Sequence, residues 1–361
     1  MPWWIWTSFV VLVAILVILD LCVLNRKAHV VSIREALGWT AFWIALALVF
    51  NVVVYMLYSG QILPGLIPTG QLSGSEAALQ FFTGYLVEKS LSLDNIFVIA
   101  MIIANFHVPA DYQHRLLFWG ILAAALLRGV MIIGGTMLLE QFHGLMYLFG
   151  GILIYSAIRM LVSRHDNLDL EENMLLRLTR RIYPVTTEFH GSRFFANVDG
   201  ERVATPMLLA LVLIESSDVM FAVDSIPAVM AITRDPFLVF TSNIFAILGL
   251  RSLYFALAGL MDRFSYLKVS LVFLLVYIGL KMIVTAWYHP VKVIPDAVSL
   301  VMIVGILAVG VIASIRFGDQ DTARLHSPLE EPSVAELQSE EGDPLLMDAA
   351  PEQPAAAESD D

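Results

Sequence analysis

Five carboxylates occupy stretches of sequence that are otherwise apolar enough to lie in a membrane. Glu88 and Asp94 fall in one stretch, with Lys89 beside them, and Glu215, Asp218 and Asp224 fall in another. A charge at the centre of a membrane helix costs roughly 2.5–3.5 kcal/mol. Five unpartnered acids would cost on the order of 12–17 kcal/mol, as much as the whole stability of a typical domain. They must therefore meet cations, protons or water. The chemistry this allows is capture of a hard cation by oxygen ligands, which suits Mg²⁺, Ca²⁺ or Mn²⁺ and does not select soft metals.

Other polar residues in the same stretches could support such a site. Asn95, Ser92 and Ser225 offer further oxygens, and Lys89, Arg128, Arg251 and Lys281 are candidate charge partners. An Asp94–Arg128 ion pair is the structural alternative to a cation path. For each serine taken alone (Ser90, Ser92, Ser216, Ser217 and Ser225), back-bonding to its own helix is the expected role. Met101, Met220 and Met230 read as packing, and the eight histidines show no zinc-ligand spacing. Glu215 and Asp218 share a helix face. Asp94 is six residues from Glu88 and Asp224 six from Asp218, about 240° around a regular helix. Convergence on one point then requires these helices to bend, and Pro227 supplies a cause by removing one backbone donor.

The elements that must hold these residues follow from composition. The 361 residues are 58% hydrophobic and only 15% charged, against about 25% charged in a soluble domain. Lipid is therefore the solvent for most of the chain. About 20 apolar residues span the hydrocarbon. Such stretches run over Trp3–Leu24, Trp39–Tyr58, Ala77–Phe106, Leu116–Leu139, Phe142–Val162, Met207–Ile232, Phe237–Leu260, Leu267–Tyr288 and Ala297–Ile315. The fold class is an all-α membrane protein with about nine transmembrane helices. The first stretch lacks a basic leader and a small-residue cleavage site, so it is expected to be a retained span.

Loop charge orients the chain. Fourteen basic residues lie in alternate loops: Arg26, Lys27, Arg34, Arg115, Arg164, Arg177, Arg180, Arg181, Arg193, Arg202, Arg263, Lys268, Arg316 and Arg324. Only Arg234 and Lys292 lie on the other side. The basic side is cytoplasmic, which puts the N-terminus outside and the C-terminal tail inside. That tail, 319–361, carries thirteen acids and one base and so accounts for the formal charge of −12; its composition predicts disorder. The cytoplasmic segment 163–205 contains a helical pattern over Leu170–Ile182 and a hairpin turning at Asp199-Gly200, with no catalytic constellation. The single cysteine, Cys22, excludes an internal disulfide.

Three sequence matches in order suggest a repeat. Ser92–Phe97 matches Ser216–Phe221, Leu127-Arg128-Gly129 matches Leu250-Arg251-Ser252, and Ile154–Met160 matches Val276–Met282, at nearly constant offset. A duplicated set of three helices reverses direction, so the copies are expected to be inverted in the membrane, with the site at their interface. Asp94 and Asp218 then become equivalent ligands facing one another. The resulting organisation is 1–38, first helix and basic loop; 39–162, second helix and first repeat; 163–205, cytoplasmic loop; 206–288, second repeat; 289–318, last helix; 319–361, acidic tail.

The segments Glu88-Lys-Ser-Leu-Ser-Leu-Asp94-Asn-Ile-Phe and Glu215-Ser-Ser-Asp218-Val-Met-Phe-Ala-Val-Asp224-Ser-Ile-Pro227 resemble the TerC/Alx family of bacterial membrane proteins. The likeness extends from about Trp39 to Arg316 and includes the Tyr288-His-Pro turn. That family is associated with manganese efflux, metal homeostasis and tellurium resistance, and is similar to lysine-exporter-type transporters. The resemblance implies Glu88, Asp94, Glu215, Asp218 and Asp224 as metal ligands, Mn²⁺ as the transported ion, and a place in the bacterial inner membrane. Val219 departs from the pattern, where a polar residue is expected, and makes the second half-site less polar. Tellurite is an anion that such a site would repel, so resistance would be indirect.

The expectation is thus a carboxylate-lined exporter of divalent cations, with the bilayer and the cation as partners. It is expected to be no enzyme, to hold no permanent cofactor and to meet no nucleic acid. A transporter of another solute, such as a cationic amino acid, would need a larger cavity. A non-transporting scaffold docking partners on 163–205 would not need the acids. An intramembrane aspartyl protease lacks its Gly-x-Gly-Asp sequence here.

Overall fold

The computed structural model describes residues 2–24, 32–62, 72–142, 144–162, 174–198, 200–257, 265–288 and 293–325. The chain divides at Gly318 into two units, and the site lies in the first. Its elements are α1 (Trp3–Leu24), α2 (Ile33–Tyr58), α3 (Gly74–Asn105), α4 (Ala110–Gln141), α5 (Leu145–Val162), α6 (Met174–Ile182), β1 (Phe195–Val198), β2 (Glu201–Ala204), α7 (Pro206–Met230), α8 (Pro236–Ile247), α9 (Leu250–Leu257), α10 (Ser265–Trp287) and α11 (Asp296–Leu325).

Local chemistry sets the helix starts. Ser73 and Glu76 form a reciprocal capping box at α3, satisfying two donors the helix cannot. Ser32 caps α2 and Asp235 caps α8, while Pro206 and Pro236 stand in the first turn, where no donor is lost. Tyr58 closes the far end of α2 onto the α8 cap, donating to Asp235 at 2.7 Å.

Polarity is inside out relative to a soluble bundle. Val130, Leu161, Val301 and Ile315 are each at least 66% exposed, whereas Glu88, Asp94, Arg128, Asp218 and Arg251 are each at most 5% exposed. Among the described residues six helices are long and apolar enough to cross a membrane, and α8 with α9 makes a seventh as a span bent by 40°. That is fewer than the nine of the sequence reading. Within the described residues the apolar run of α1, Trp3–Leu19, is short, and Glu88, Lys89 and Asp94 interrupt α3.

α3, α7 and α8 are largely enclosed, and α3 and α7 pack on each other. α3 also packs on α8 and α7 on α4, and α5 lies along α10. The last pair crosses closely at two glycines: a Cβ on Gly150 or Gly279 would stand 2.9 Å from the other residue's carbonyl oxygen, the small-residue contact that lets membrane helices approach.

Neither α3 nor α7 is unwound: each runs as one continuous helix, with Pro227 near the C-terminal end of α7. The break falls instead between α8 and α9, where Gly249 adopts φ +79°. Any side chain there would be strained and would stand 2.6 Å from the Trp43 ring. Broken helices leave carbonyls without intrahelical donors, tolerable in a membrane only when protein satisfies them. Lys89 does so, donating to the carbonyls of Ala246 at 3.1 Å and Leu248 at 3.5 Å.

The hairpin appears as read, β1 and β2 pairing antiparallel from Phe195↔Ala204 to Val198↔Glu201 with Gly200 at φ +85°. The second difference is at the C-terminus: α11 continues to Leu325, beyond Ile315 and into the segment read as tail, because Asp319–Leu325 contains no proline or glycine to stop it. The rest of the tail, Arg26, Lys27, Arg164, Arg263, Lys292 and the His289-Pro290 turn lie outside the described residues.

Candidate functional site

The acids of α3 and α7 gather around one side chain from α4. Arg128 is 2% exposed. Its Nη2 donates to Asp218 Oδ1 at 2.9 Å and its Nε to Asp218 Oδ2 at 3.3 Å, the side-on fork that suits a carboxylate. Nη1 contacts the carboxylate of Glu88 and lies 3.4 Å from Ser225 Oγ. Asn95 Nδ2 adds a third hydrogen bond to Asp218, at 2.9 Å. The sequence reading set Arg128 against Asp94; the structure sets it on Glu88, six residues earlier on α3, and on Asp218 across on α7.

Two small cavities flank this cluster, each of about 20 Å³. Glu88, Asp94, Arg128, Asp224 and Ser225 line the first, closed off by apolar side chains that include Leu91 and Phe221. Asn95, Asp218, Arg251 and Tyr254 supply the polar lining of the second. One water-sized sphere needs roughly 10–15 Å³, so each cavity takes a single water or a stripped ion. Drug-sized ligands occupy roughly 300–1,000 Å³, and larger cavities here, of about 460, 490 and 850 Å³, are walled mainly by apolar side chains, with Arg251 at the first and Glu35 at the second.

The five acids therefore do not meet at one point. Among the described residues no three of His, Cys, Asp and Glu stand arranged as a ready-made metal cluster. Glu88, Asp94 and Asp224 share a cavity; Asp218 lies beyond Arg128; Glu215 lines neither cavity. Its Oε1 would be 3.7 Å from a Cβ placed on Gly120, and that oxygen is buried with no hydrogen-bond partner among the described residues. Asp94 and Asp218, expected to face one another, line different cavities. The helices being regular, Glu88 and Asp94 are 120° apart by the shorter way, with Leu91 between them, so they border one cavity without any bend.

The remaining residues are placed as follows. Ser90, Ser216 and Ser217 bond back to carbonyls of their own helices, as expected. Ser92 is buried on α3. Lys281, read as a partner of the acids, donates to Ser299 of α11 at 3.0 Å. The sequence reading did not single out Ser156, which lies 2.5 Å from Asp224, nor Asp296, buried and accepting from Gln80 at 2.9 Å. Ser156 carried a signal: it stands inside the third repeated segment.

Exposed apolar faces around a buried, mutually bonded charge cluster define a multi-pass helical membrane protein. The profile described as "Integral membrane protein TerC family" matches residues 73–322, and the chain belongs to that family. It is similar to "Uncharacterized membrane protein STKORF319" of Myxococcus xanthus, 49% identical over 86% of this chain and 92% of that one. It is also similar to "Putative membrane-bound redox modulator Alx" of Escherichia coli K12, 43% identical over 84% and 91%. An uncharacterized membrane protein of Rickettsia felis is 38% identical over 86% and 97%. No solved structure matches the chain.

Proposed function

We propose that this protein moves a hard divalent cation, Mn²⁺ foremost, across the bacterial inner membrane. The observation that carries this is the cavity of about 20 Å³ bordered by Glu88, Asp94 and Asp224. Three carboxylates crowded in low dielectric repel one another and favour an added cation or proton. Oxygen ligands suit Mn²⁺ and Mg²⁺, and the volume has no room for a cationic amino acid. The test is metal uptake into inverted vesicles holding the full-length protein, with Mn²⁺, Mg²⁺, Ca²⁺ and Zn²⁺ compared. Mn²⁺ uptake above empty vesicles is the expected result; uptake of none of the four would end the assignment.

The nine-span arrangement, with inverted repeats over α3–α5 and α7–α10, belongs to the same reading. Its support is the exchange of partners: α3 takes α8 where α7 takes α4, while α3 with α7 and α5 with α10 pair with their own counterparts. A two-fold relation produces that pattern. It requires α3 to start outside and α7 inside. Single cysteines at Gln61 and Thr187, in a Cys22→Ser background, should label from opposite sides of intact cells, Gln61 from outside. Labelling of both from one side would remove the inversion.

A redox role, suggested by the name of the Escherichia coli relative, would need a partner beyond this chain's thiols. One cysteine cannot form an internal disulfide couple.

A further inference from the structure

We propose that Arg128 is a tethered internal cation: its guanidinium holds the site carboxylates while no metal is bound, and metal binding displaces it. The proposal rests on the cation-transport reading and names how that site is emptied and refilled.

Arg128 stands between the two cavities. Its contact with Glu88 reaches into the wall of the first, and its fork on Asp218 reaches the wall of the second. A divalent ion in the first cavity would face Glu88, Asp94 and Asp224, but also the guanidinium that borders the same space. Like charges so close in low dielectric repel strongly. Glu88 cannot neutralise both at once, so metal and guanidinium compete for it. Ser225 and Asp218 supply the alternative partners to which the guanidinium can withdraw without leaving protein.

The competition answers a problem every carboxylate transport site has. With metal gone, several buried anions would remain together, desolvated and repelling one another. A side-chain cation that returns to them stabilises the empty state, and it stands between the two cavities while there. The position on α4 suits this, because that helix packs on α7 and can deliver a long side chain into the α3–α7 interface.

The competing role is a purely structural bridge between α3, α4 and α7. Mn²⁺ affinity, read from the metal-dependent rise in melting temperature of the purified protein, separates the two. Arg128→Gln removes the competitor and leaves Glu88, Asp94 and Asp224 in place. It should bind Mn²⁺ at least tenfold more tightly and transport it more slowly in vesicles, because the filled site no longer empties. Arg128→Lys keeps a cation and should stay nearer the parent in affinity. Should Arg128→Gln not fold, the Arg128→Gln/Asp218→Asn pair, which removes the guanidinium together with its bidentate partner, carries the same expectation. A folded variant of either kind with unchanged or weaker Mn²⁺ affinity overturns the proposal. If the unaltered protein neither binds nor moves any of the four metals, it is the transport reading that fails.

Discussion

Asp218→Ala should lower the melting temperature of the detergent-purified protein far more than Asp224→Ala does. Asp218 accepts three hydrogen bonds, two from Arg128 and one from Asn95, and is almost wholly buried. Its removal leaves the Arg128 guanidinium enclosed with half its partners gone. Breaking one side of a buried ion pair costs about 3–5 kcal/mol, because the stranded charge stays out of water. Asp224 is half-buried and held by Ser156, so its loss strands no cation of comparable burial. Replacing all three partners together, Asp218→Leu with Arg128→Met and Glu88→Met, should recover much of the loss, as exchange of a buried ion pair or triad for apolar residues often does. Equal melting temperatures for the two single alanine variants would refute the central place given to Arg128–Asp218.

The second large effect concerns transport. Asp94→Asn keeps the shape of its side chain and removes one charge from the cavity shared with Glu88 and Asp224. At an effective dielectric constant of about 20, two unit charges 4 Å apart interact by about 4 kcal/mol, and a divalent ion doubles that figure. Even half of the loss would weaken Mn²⁺ binding on the order of a thousandfold. Vesicle Mn²⁺ uptake at micromolar metal should fall to background, while abundance in the membrane holds or rises because a costly buried charge has gone. Uptake at the parent rate would take Asp94 out of the ion path. Glu215→Gln serves as the contrast: that side chain lines neither cavity, and its uptake should fall less.

Those two variants also divide what was legible in the sequence from what was not. The acids themselves were visible, since a carboxylate in an apolar stretch stands out whatever surrounds it. The helix starts carried local signals that the apolar stretches alone passed over: Ser73 with Glu76, and Asp235 ahead of Pro236, act over three or four residues. The hairpin at 199–200 was legible from a signal of the same short range. The break between α8 and α9 was missed although Gly249 marked it, because the run from Phe237 to Leu260 is apolar throughout and hydropathy cannot tell one span from two half-spans. What makes Gly249 obligatory there is Trp43, some two hundred positions earlier.

Composition and pattern alone determined that lipid is the solvent, which segments are helical, and which charges must be buried. Each of those follows from one residue's own transfer energy or from neighbours within a helical turn. Only the tertiary structure decided which charge answers which. Arg128, paired with Asp94 in the structural alternative to a cation path, bonds to Glu88 and Asp218. Lys89 serves the carbonyls of a broken helix, and Lys281 turns to α11. Pairing of this kind depends on how each helix is rotated and how far it slides along its neighbours. Packing of apolar faces from distant parts of the chain sets both, and a buried charge then takes the counter-charge that this packing brings within reach.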